Sequence, residues 1–253
     1  SGSVKVVIGL DPHKASNTIA VLGLDETVLD RQRFENSEKG LGLMLGAVEG
    51  FDERVWAVEG AKSLGRTVAQ RLLVAGEVVY DVPAKLATRV RVYSTGHGTK
   101  SDTADAISIA RAALHSRQLR RVVPDGENVA LKLLTDRRDE LVAARTQMVC
   151  RLHRLIRELI PGGAPTELTA ERAYDLISGL TEVKDPAGLM RLELAMEHIC
   201  DIRRADLMLD RLTARITRMV KASQTTLTRV FGIGPINAAV ILAEVGNIDR
   251  FPT

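Results

Sequence analysis

The chain has 253 residues, of which 45% are hydrophobic and 26% charged. That length can bury a sizeable core in one or two domains, and the composition excludes a disordered protein. No apolar stretch reaches the roughly 18 residues of a membrane span, and no secretory signal peptide is visible. Cys150 and Cys200 lack metal-ligand spacing, so we expect reduced thiols packed in or beside a core. The sequence predicts a soluble, cytoplasmic protein.

The net charge is only +3, but it is unevenly distributed. Eight basic residues and two acidic ones lie between residues 85 and 121, so this segment is strongly positive. A polyanionic partner fits it, and a solvated basic helix face is the alternative. Because only 3% of residues are aromatic, we expect contacts with a nucleic-acid backbone rather than base stacking. The candidate contacts are Lys14, Lys85, Arg89, Arg91, Lys100, Arg117, Arg120 and Arg121.

The first half of the chain alternates between strand and helix patterns. Strands are predicted at residues 4–10, 17–24, 28–35, 54–59 and 77–82. Helices are predicted at residues 37–50, 62–76, 84–92 and 102–116. Three consecutive strands followed by alternating helices and strands are typical of an α/β fold of the ribonuclease H-like class, a mixed sheet flanked by helices.

Four carboxylates in this half stand where a shared metal site would need them. Asp11 ends the first apolar strand, Glu59 ends the fourth, and Asp102 and Asp105 lie on one face of a helix start. If they meet, each pair at 4 Å repels by roughly 4 kcal/mol at an effective dielectric near 20. A bound Mg²⁺ or Mn²⁺ ion, with the carboxylate oxygens as ligands, would offset that repulsion. Alone, Asp11 could be a turn residue and Asp102 a helix cap, so it is the joint placement that favours a metal site.

After Pro124-Asp125-Gly126 the pattern changes to long helices. Leucine and methionine recur every seven residues between 131 and 159, with Arg138 and Arg145 at seam positions. A second long helix, at about 187–222, has apolar residues at three- and four-residue spacing. These two helices predict a coiled coil or an antiparallel helical hairpin, within one chain or between chains, with a role in assembly.

A glycine-rich turn, Gly232-Ile233-Gly234-Pro235, precedes a helical run at residues 238–244. Such a turn exposes backbone N–H groups at a helix N-terminus, as a helix-hairpin-helix motif does when it holds a phosphate. Gly232 and Gly234 are therefore candidate nucleic-acid contacts, and a plain turn is the alternative. The chain stops soon after, at Arg250-Phe251-Pro252-Thr253, as if inside a domain.

Together these segments resemble the motifs of DEDD-type insertion-sequence transposases, the insertion-sequence-110 family. The matching segments are Ile8-Gly9-Leu10-Asp11-Pro12-His13-Lys14, Val58-Glu59-Gly60-Ala61, Lys100-Ser101-Asp102-Thr103-Ala104-Asp105-Ala106 and Gly232-Ile233-Gly234-Pro235. The resemblance implies a domain similar to the Holliday-junction resolvase RuvC at residues 4–122. It also implies a coiled-coil assembly region at 126–224 and the start of a C-terminal transposase domain at 225–253.

For function, the resemblance implies a bacterial or archaeal DNA recombinase. Strand cleavage and exchange would be metal-dependent and guided by a structured bridge RNA, in a dimer or tetramer. Asp11, Glu59, Asp102 and Asp105 would be the catalytic metal ligands. The family's catalytic serine lies beyond the Gly-Ile-Gly-Pro block, so we expect this chain to bind metal and nucleic acid but to lack the nucleophile.

Three other function classes stay open from the residues. A non-catalytic RNA- or DNA-binding assembly module would use the acids as a metal-organised phosphate clamp, and a RuvC-like junction endonuclease would use them to cut. An actin-like sugar kinase shares the apolar-Gly-apolar-Asp strand, but it needs a Gly- and Thr-rich turn where Pro12-His13-Lys14-Ala15-Ser16 stands. His13 and His97 are possible ligands, although exposed loop positions are the favoured interpretation.

Overall fold

The protein is described by a computed structural model that covers residues 5–95 and 102–245, with the backbone alone for 91–95. Contacts divide the chain into two compact units, residues 1–125 and 126–253. Within the described ranges, no helix has both the length and the apolar character to cross a membrane. His97 and Lys100 lie outside the described residues, as does the side chain of Arg91.

A six-stranded mixed sheet forms the first unit. Its strands are Lys5–Pro12 (β1), Ser16–Gly23 (β2), Val28–Glu35 (β3), Glu53–Glu59 (β4), Val79–Val82 (β5) and Arg120–Arg121 (β6). The strands lie in the order β3-β2-β1-β4-β5-β6. β1, β2 and β3 form an antiparallel meander, β4 and β5 run parallel to β1, and β6 is antiparallel to β5. This order with these directions is the ribonuclease H-like arrangement, so the predicted fold class is confirmed.

Four helices cover the sheet, two on each face. They are Glu38–Ala47 (α1), Arg66–Val74 (α2), Ala84–Thr95 (α3) and Asp102–His115 (α4). Successive side chains of β1 point to opposite faces, so Ile8 and Leu10 pack with α1 and α2, while Val7 packs with α3 and α4. The sequence did not predict β6, because its two exposed arginines carry no apolar pattern.

Helix α4 lies directly on β1 because residue 9 is glycine. A Cβ atom at Gly9 would lie 2.7 Å from the backbone nitrogen of Ala110 and 2.9 Å from its Cβ, and it would also collide with the carbonyl oxygen of Ala106. Any side chain at this position would push the helix away from the strand. The close approach brings the first turn of α4, with Asp102 and Asp105, over the C-terminal end of β1.

An ion pair between Arg54 and Glu77, hydrogen-bonded to Trp56, also stabilises this unit. The guanidinium of Arg54 donates through Nη2 to Glu77 Oε1 at 2.6 Å and through Nε to Oε2 at 3.0 Å. The indole Nε1 of Trp56 donates to the same carboxylate at 2.7 Å. Burial alone would raise the pKa of Glu77, but the hydrogen bonds from Arg54 and Trp56 outweigh it and lower that pKa. The Glu77 side chain is only 8% exposed, so the pair is largely shielded from solvent.

We predict that Glu77→Gln lowers the free energy of unfolding by about 2–3 kcal/mol at neutral pH, because it leaves the arginine without its counter-charge. Since the folded-state pKa of Glu77 is lowered, its contribution is present above the ordinary carboxyl pKa and is lost as pH falls through the folded value. Urea titrations at several pH values measure both effects. Glu38→Gln, which breaks the exposed pair with Arg71, is the matched control and should cost at most about 0.5 kcal/mol. Equal effects of the two variants would contradict the prediction.

The second unit is helical. Its helices are Glu127–Leu159 (α5), Ala170–Ser178 (α6), Pro186–Ala222 (α7) and Pro235–Val245 (α8), with a 3-10 turn at Leu227–Arg229. α6 was not predicted, because its nine residues are too few to show a clear helical period between the turn-forming segments on either side. α8 packs against α5 and α7 in a small core around Leu131 and Ile216. The division of this unit at residue 224 stays a prediction.

Helices α5 and α7 form an antiparallel hairpin within the chain. One ion pair joins Arg145 of α5 to Asp206 of α7. A second joins Glu158, later in α5, to Arg191, earlier in α7. Moving forward along α5 thus means moving backward along α7, which leaves a hairpin as the arrangement. The pairing with Asp206 also explains the arginine at seam position 145.

The expectation that the cysteines are packed in a core is wrong, whereas a position beside a core agrees with the structure. Cys150 and Cys200 are both exposed and unpaired. Cys200 directly follows the buried Ile199, and one residue rotates a side chain by about 100° around a helix, away from the partner.

Candidate metal centre

Asp11 and Glu59 lie side by side at the C-terminal ends of neighbouring parallel strands. The register of β1 and β4 pairs Leu10 with Val58, and each acid is the next residue along its strand. Both therefore fall on the sheet face that α3 and α4 cover. The predicted positions of these two acids, on the first strand and at the end of the fourth, agree with the structure.

The first turn of α4 brings Asp102 and Asp105 to the same place. Asp105 lines a small cavity together with Glu59, Thr88 and Ser108. Burial raises the pKa of Asp11, His13 opposes that rise, and the negative charges of Asp105 and Asp102 raise the pKa further. The structure thus brings together all four acids singled out in the sequence. Their roles as ligands stay a prediction.

His13 lies between two of these carboxylates. Its Nε2 atom is 3.0 Å from Asp11 Oδ2, within hydrogen-bond distance, and 3.6 Å from Asp102 Oδ1. Within the described part of the chain, Asp11, His13 and Asp102 form a group whose ligand atoms all lie within 4.8 Å of one another. His13 is part-exposed, as expected of a turn residue, yet its ring faces the acids. Asn36 holds this turn by donating to the backbone carbonyls of His13 and Lys14.

The donor set fits a hard divalent cation. Two carboxylates and an imidazole converge, with two further carboxylates beside them. Asp11 is only 5% exposed, and burial together with the neighbouring acids disfavours its charged form. A cation would offset that cost.

Two residues at the site were missed in the sequence. Arg33 on β3 places Nη1 3.4 Å from Asp102 Oδ2, and its Nε donates to Ser16 Oγ at 3.0 Å. Thr18 on β2 stands opposite Asp11 on one side and Arg33 on the other, so the three share one row across the sheet. The polar run Asp30-Arg31-Gln32-Arg33 inside a strand could have pointed to a functional surface.

Those residues predicted to bind nucleic acid that the structure describes lie on the surface. Gly232 has a φ of +85°, a backbone conformation that favours glycine, and it lies with Gly234 in the turn before α8. The described basic side chains are all exposed: Lys14, Lys85, Arg89, Arg117, Arg120 and Arg121. Their contacts with nucleic acid stay a prediction.

Two family models match the sequence. A model for DEDD transposases of the IS110 type, described as "Transposase", matches residues 8–161, more than half of the chain. A second, described as "Transposase IS116/IS110/IS902 family", matches residues 224–253. The chain belongs to the IS110 family of transposases. The family predicted from the sequence motifs is thereby confirmed, and the first match contains all four acids of the candidate centre.

Curated relatives of this IS110-family chain are longer than the chain itself. It is 30% identical over 195 residues to the "Insertion element IS116 uncharacterized 44.8 kDa protein" of Streptomyces clavuligerus, covering 74% of this chain and 47% of that protein. It is 30% identical over 145 residues to the "Insertion element IS900 uncharacterized 42 kDa protein" of Mycobacterium paratuberculosis, covering 56% of this chain and 36% of that protein. The matched part of the chain therefore spans about half the length of the first relative and about a third of the second.

A search of solved structures gives a similar chain, in "T. thermophilus RuvC in complex with Holliday junction substrate". It is 18% identical, the TM-score is 0.37, and the alignment covers 47% of this chain and 99% of that chain.

Proposed function

We propose that the full-length protein is a metal-dependent DNA recombinase that moves an insertion sequence, and that this chain carries its metal-binding half. The observation that carries the proposal is the convergence of Asp11, Glu59, Asp102 and Asp105, from two strands and a helix, on one face of the sheet. Membership of a transposase family supports DNA as the substrate.

In this proposal the four acids hold Mg²⁺ or Mn²⁺, and Asp11 and Asp102 are the central ligands. A divalent cation bound there would stabilise the negative charge that develops on a scissile phosphate. His13 has a separate part: by bonding to Asp11 it orients the carboxylate whose charged form burial disfavours. Mn²⁺ is a suitable probe ion, because it prefers the carboxylate ligands that the four acids supply.

The protein contacts nucleic-acid backbones through exposed basic side chains and through the turn at Gly232 and Gly234. The basic residues are Lys14, Lys85, Arg89, Arg117, Arg120 and Arg121. A structured bridge RNA guides the reaction, and the protein acts as a dimer or tetramer. The proposed parts are a DEDD domain at 4–122, an assembly region at 126–224 and a transposase domain that starts at 225.

Calorimetric titration of Mn²⁺ into the chain tests the metal site. We expect wild type to bind, and Asp11→Asn and Asp102→Asn to weaken binding by at least about tenfold to a hundredfold, because removing a ligand should cost no less than removing an outer partner. Glu59→Gln and Asp105→Asn report whether the flanking acids take part. Asp52→Asn, an exposed acid at the opposite end of the sheet, is the matched control and should bind as wild type does. Equal Mn²⁺ affinities in all variants would overturn the proposal.

A further inference from the structure

A groove runs beside the candidate metal centre, between the edge strand β3 and the first turn of α4. We call it the β3 groove. Asp102 lies at the boundary between the groove and the metal centre, so a strand bound at the acids would continue into it. Its lining residues are Thr18, Arg31, Gln32, Arg33, Asp102 and Thr103.

Two arginines give the β3 groove its charge. Arg31 and Arg33 stand opposite Ala20 and Thr18 of β2, so both lie on the face that α4 covers. Two residues along a strand are about 7 Å apart, a spacing comparable to that of consecutive phosphates in an extended nucleic-acid strand. Within the described residues, the guanidinium of Arg31 has no ion-pair partner, and the Arg33 side chain is 63% exposed. Both can therefore contact an anion from solvent.

Thr18 marks the inner end of the groove. The residue is 2% exposed, and its hydroxyl has no hydrogen-bond partner among the residues that the structure describes. Buried hydroxyls are nearly always bonded, so an orphaned one calls for a partner that is missing from the protein itself. Thr18 lies in the row between Asp11 and Arg33, so a ligand bound between the metal centre and the groove would supply that partner.

Arg33 is shared between the groove and the acids. Its guanidinium pairs with Asp102, whose other carboxylate oxygen lies 3.6 Å from His13 Nε2. A cation held by Asp102 would weaken the attraction of this carboxylate for the guanidinium and would leave Arg33 available to the groove. The planar guanidinium suits phosphate oxygens, which it can bind through two parallel N–H donors.

We propose that the β3 groove binds phosphodiester groups of a nucleic-acid strand, through Arg31 and Arg33, next to the phosphate held at the acids. The inference rests on the proposed function in taking the acids as the place where a scissile phosphate lies. None of the described residues that line the groove is aromatic, so we expect contacts with phosphates rather than with bases, and DNA and RNA strands are both possible sources of the ligand.

The test measures the binding of a short fluorescent single-stranded DNA, and of RNA of the same sequence, by anisotropy in chelator and in Mn²⁺. Arg31→Gln and Arg33→Gln should each weaken binding about tenfold, as expected for one lost charge-assisted hydrogen bond. Each should also reduce the slope of log affinity against log salt by about 0.7. Arg71→Gln, which removes the same charge from α2 on the opposite face of the sheet, is the matched control and should leave both quantities unchanged.

The outcomes separate this inference from the proposed function. Weaker binding with one probe alone identifies DNA or RNA as the source, and weaker binding with both supports a site for either backbone. Arginine variants that bind both probes like Arg71→Gln overturn the groove while leaving any measured Mn²⁺ site intact. A chain that binds no Mn²⁺, yet loses nucleic-acid affinity in the arginine variants, overturns the proposed function and keeps the groove.

Discussion

Replacing Gly9 by alanine is expected to lower the free energy of unfolding by about 3–5 kcal/mol, a large part of the stability of an ordinary domain. The added methyl group would meet the carbonyl oxygen of Ala106 and the backbone nitrogen of Ala110, and backbone atoms of a helix cannot move aside alone. Either α4 shifts as a body or the core beneath it opens. Urea unfolding followed by circular dichroism measures the loss.

Two further variants sharpen this prediction. Gly42→Ala adds the same methyl group to an exposed position of α1 with nothing within 4 Å, and it should stabilise the protein by about 0.5–1 kcal/mol. Adding Ala110→Gly to Gly9→Ala removes the contact with the Ala110 side chain but leaves both backbone contacts, so we expect no rescue. An unfolding midpoint for Gly9→Ala equal to that of wild type would mean that α4 does not rest on β1.

The strands and the four acids were predictable because their patterns are local; Asp102 and Asp105 are three residues apart and so share one face of a helix. Asp11 and Glu59 each follow an apolar run, and parallel strands carry their C-terminal ends to one edge of the sheet. The approach of α4 was not predictable, because it depends on a contact between Gly9 and Ala106, far apart in sequence. Within an apolar run, Gly9 looks like any small strand residue.

Arg33 was missed for a different physical reason. β3 is an edge strand whose middle is polar on both faces, so its residues show no alternation that separates the face covered by α4 from solvent. In the second unit, the seven-residue repeat showed where α5 packs but not against which helix. The choice between pairing within and between chains needed the contacts of Arg145 and Glu158 with α7.

Asp11→Asn is expected to separate metal binding from stability. In chelator at neutral pH, the free energy of unfolding of the variant should equal or exceed that of wild type. The weaker bond to His13 costs at most about 1 kcal/mol, and removal of the buried charge offsets it. The reason is that burial and the charges of Asp105 and Asp102 raise the pKa of Asp11. A raised folded-state pKa means that the charged form, present at neutral pH, is less stable in the folded protein than in the unfolded one. Asparagine keeps the shape and removes that charge.

With Mn²⁺ the order of stabilities should reverse. A site that binds only the folded chain adds about 2.7 kcal/mol when the ion is present at a hundred times its dissociation constant. Wild type should gain that amount in the proposed site. Asp11→Asn, whose affinity should fall at least tenfold to a hundredfold, should gain at most about 1.4 to 0.4 kcal/mol. Thermal unfolding in chelator and in Mn²⁺, with Asp52→Asn as the control that gains as wild type does, measures both halves. A variant that is much less stable than wild type in chelator would show that Asp11 is there for the fold. A variant that gains as much stability from Mn²⁺ as wild type does would show that the ion binds elsewhere. Only a reversed order of stabilities identifies Asp11 as a metal ligand: its charge lowers the free energy of unfolding without the cation, and the bound cation raises it.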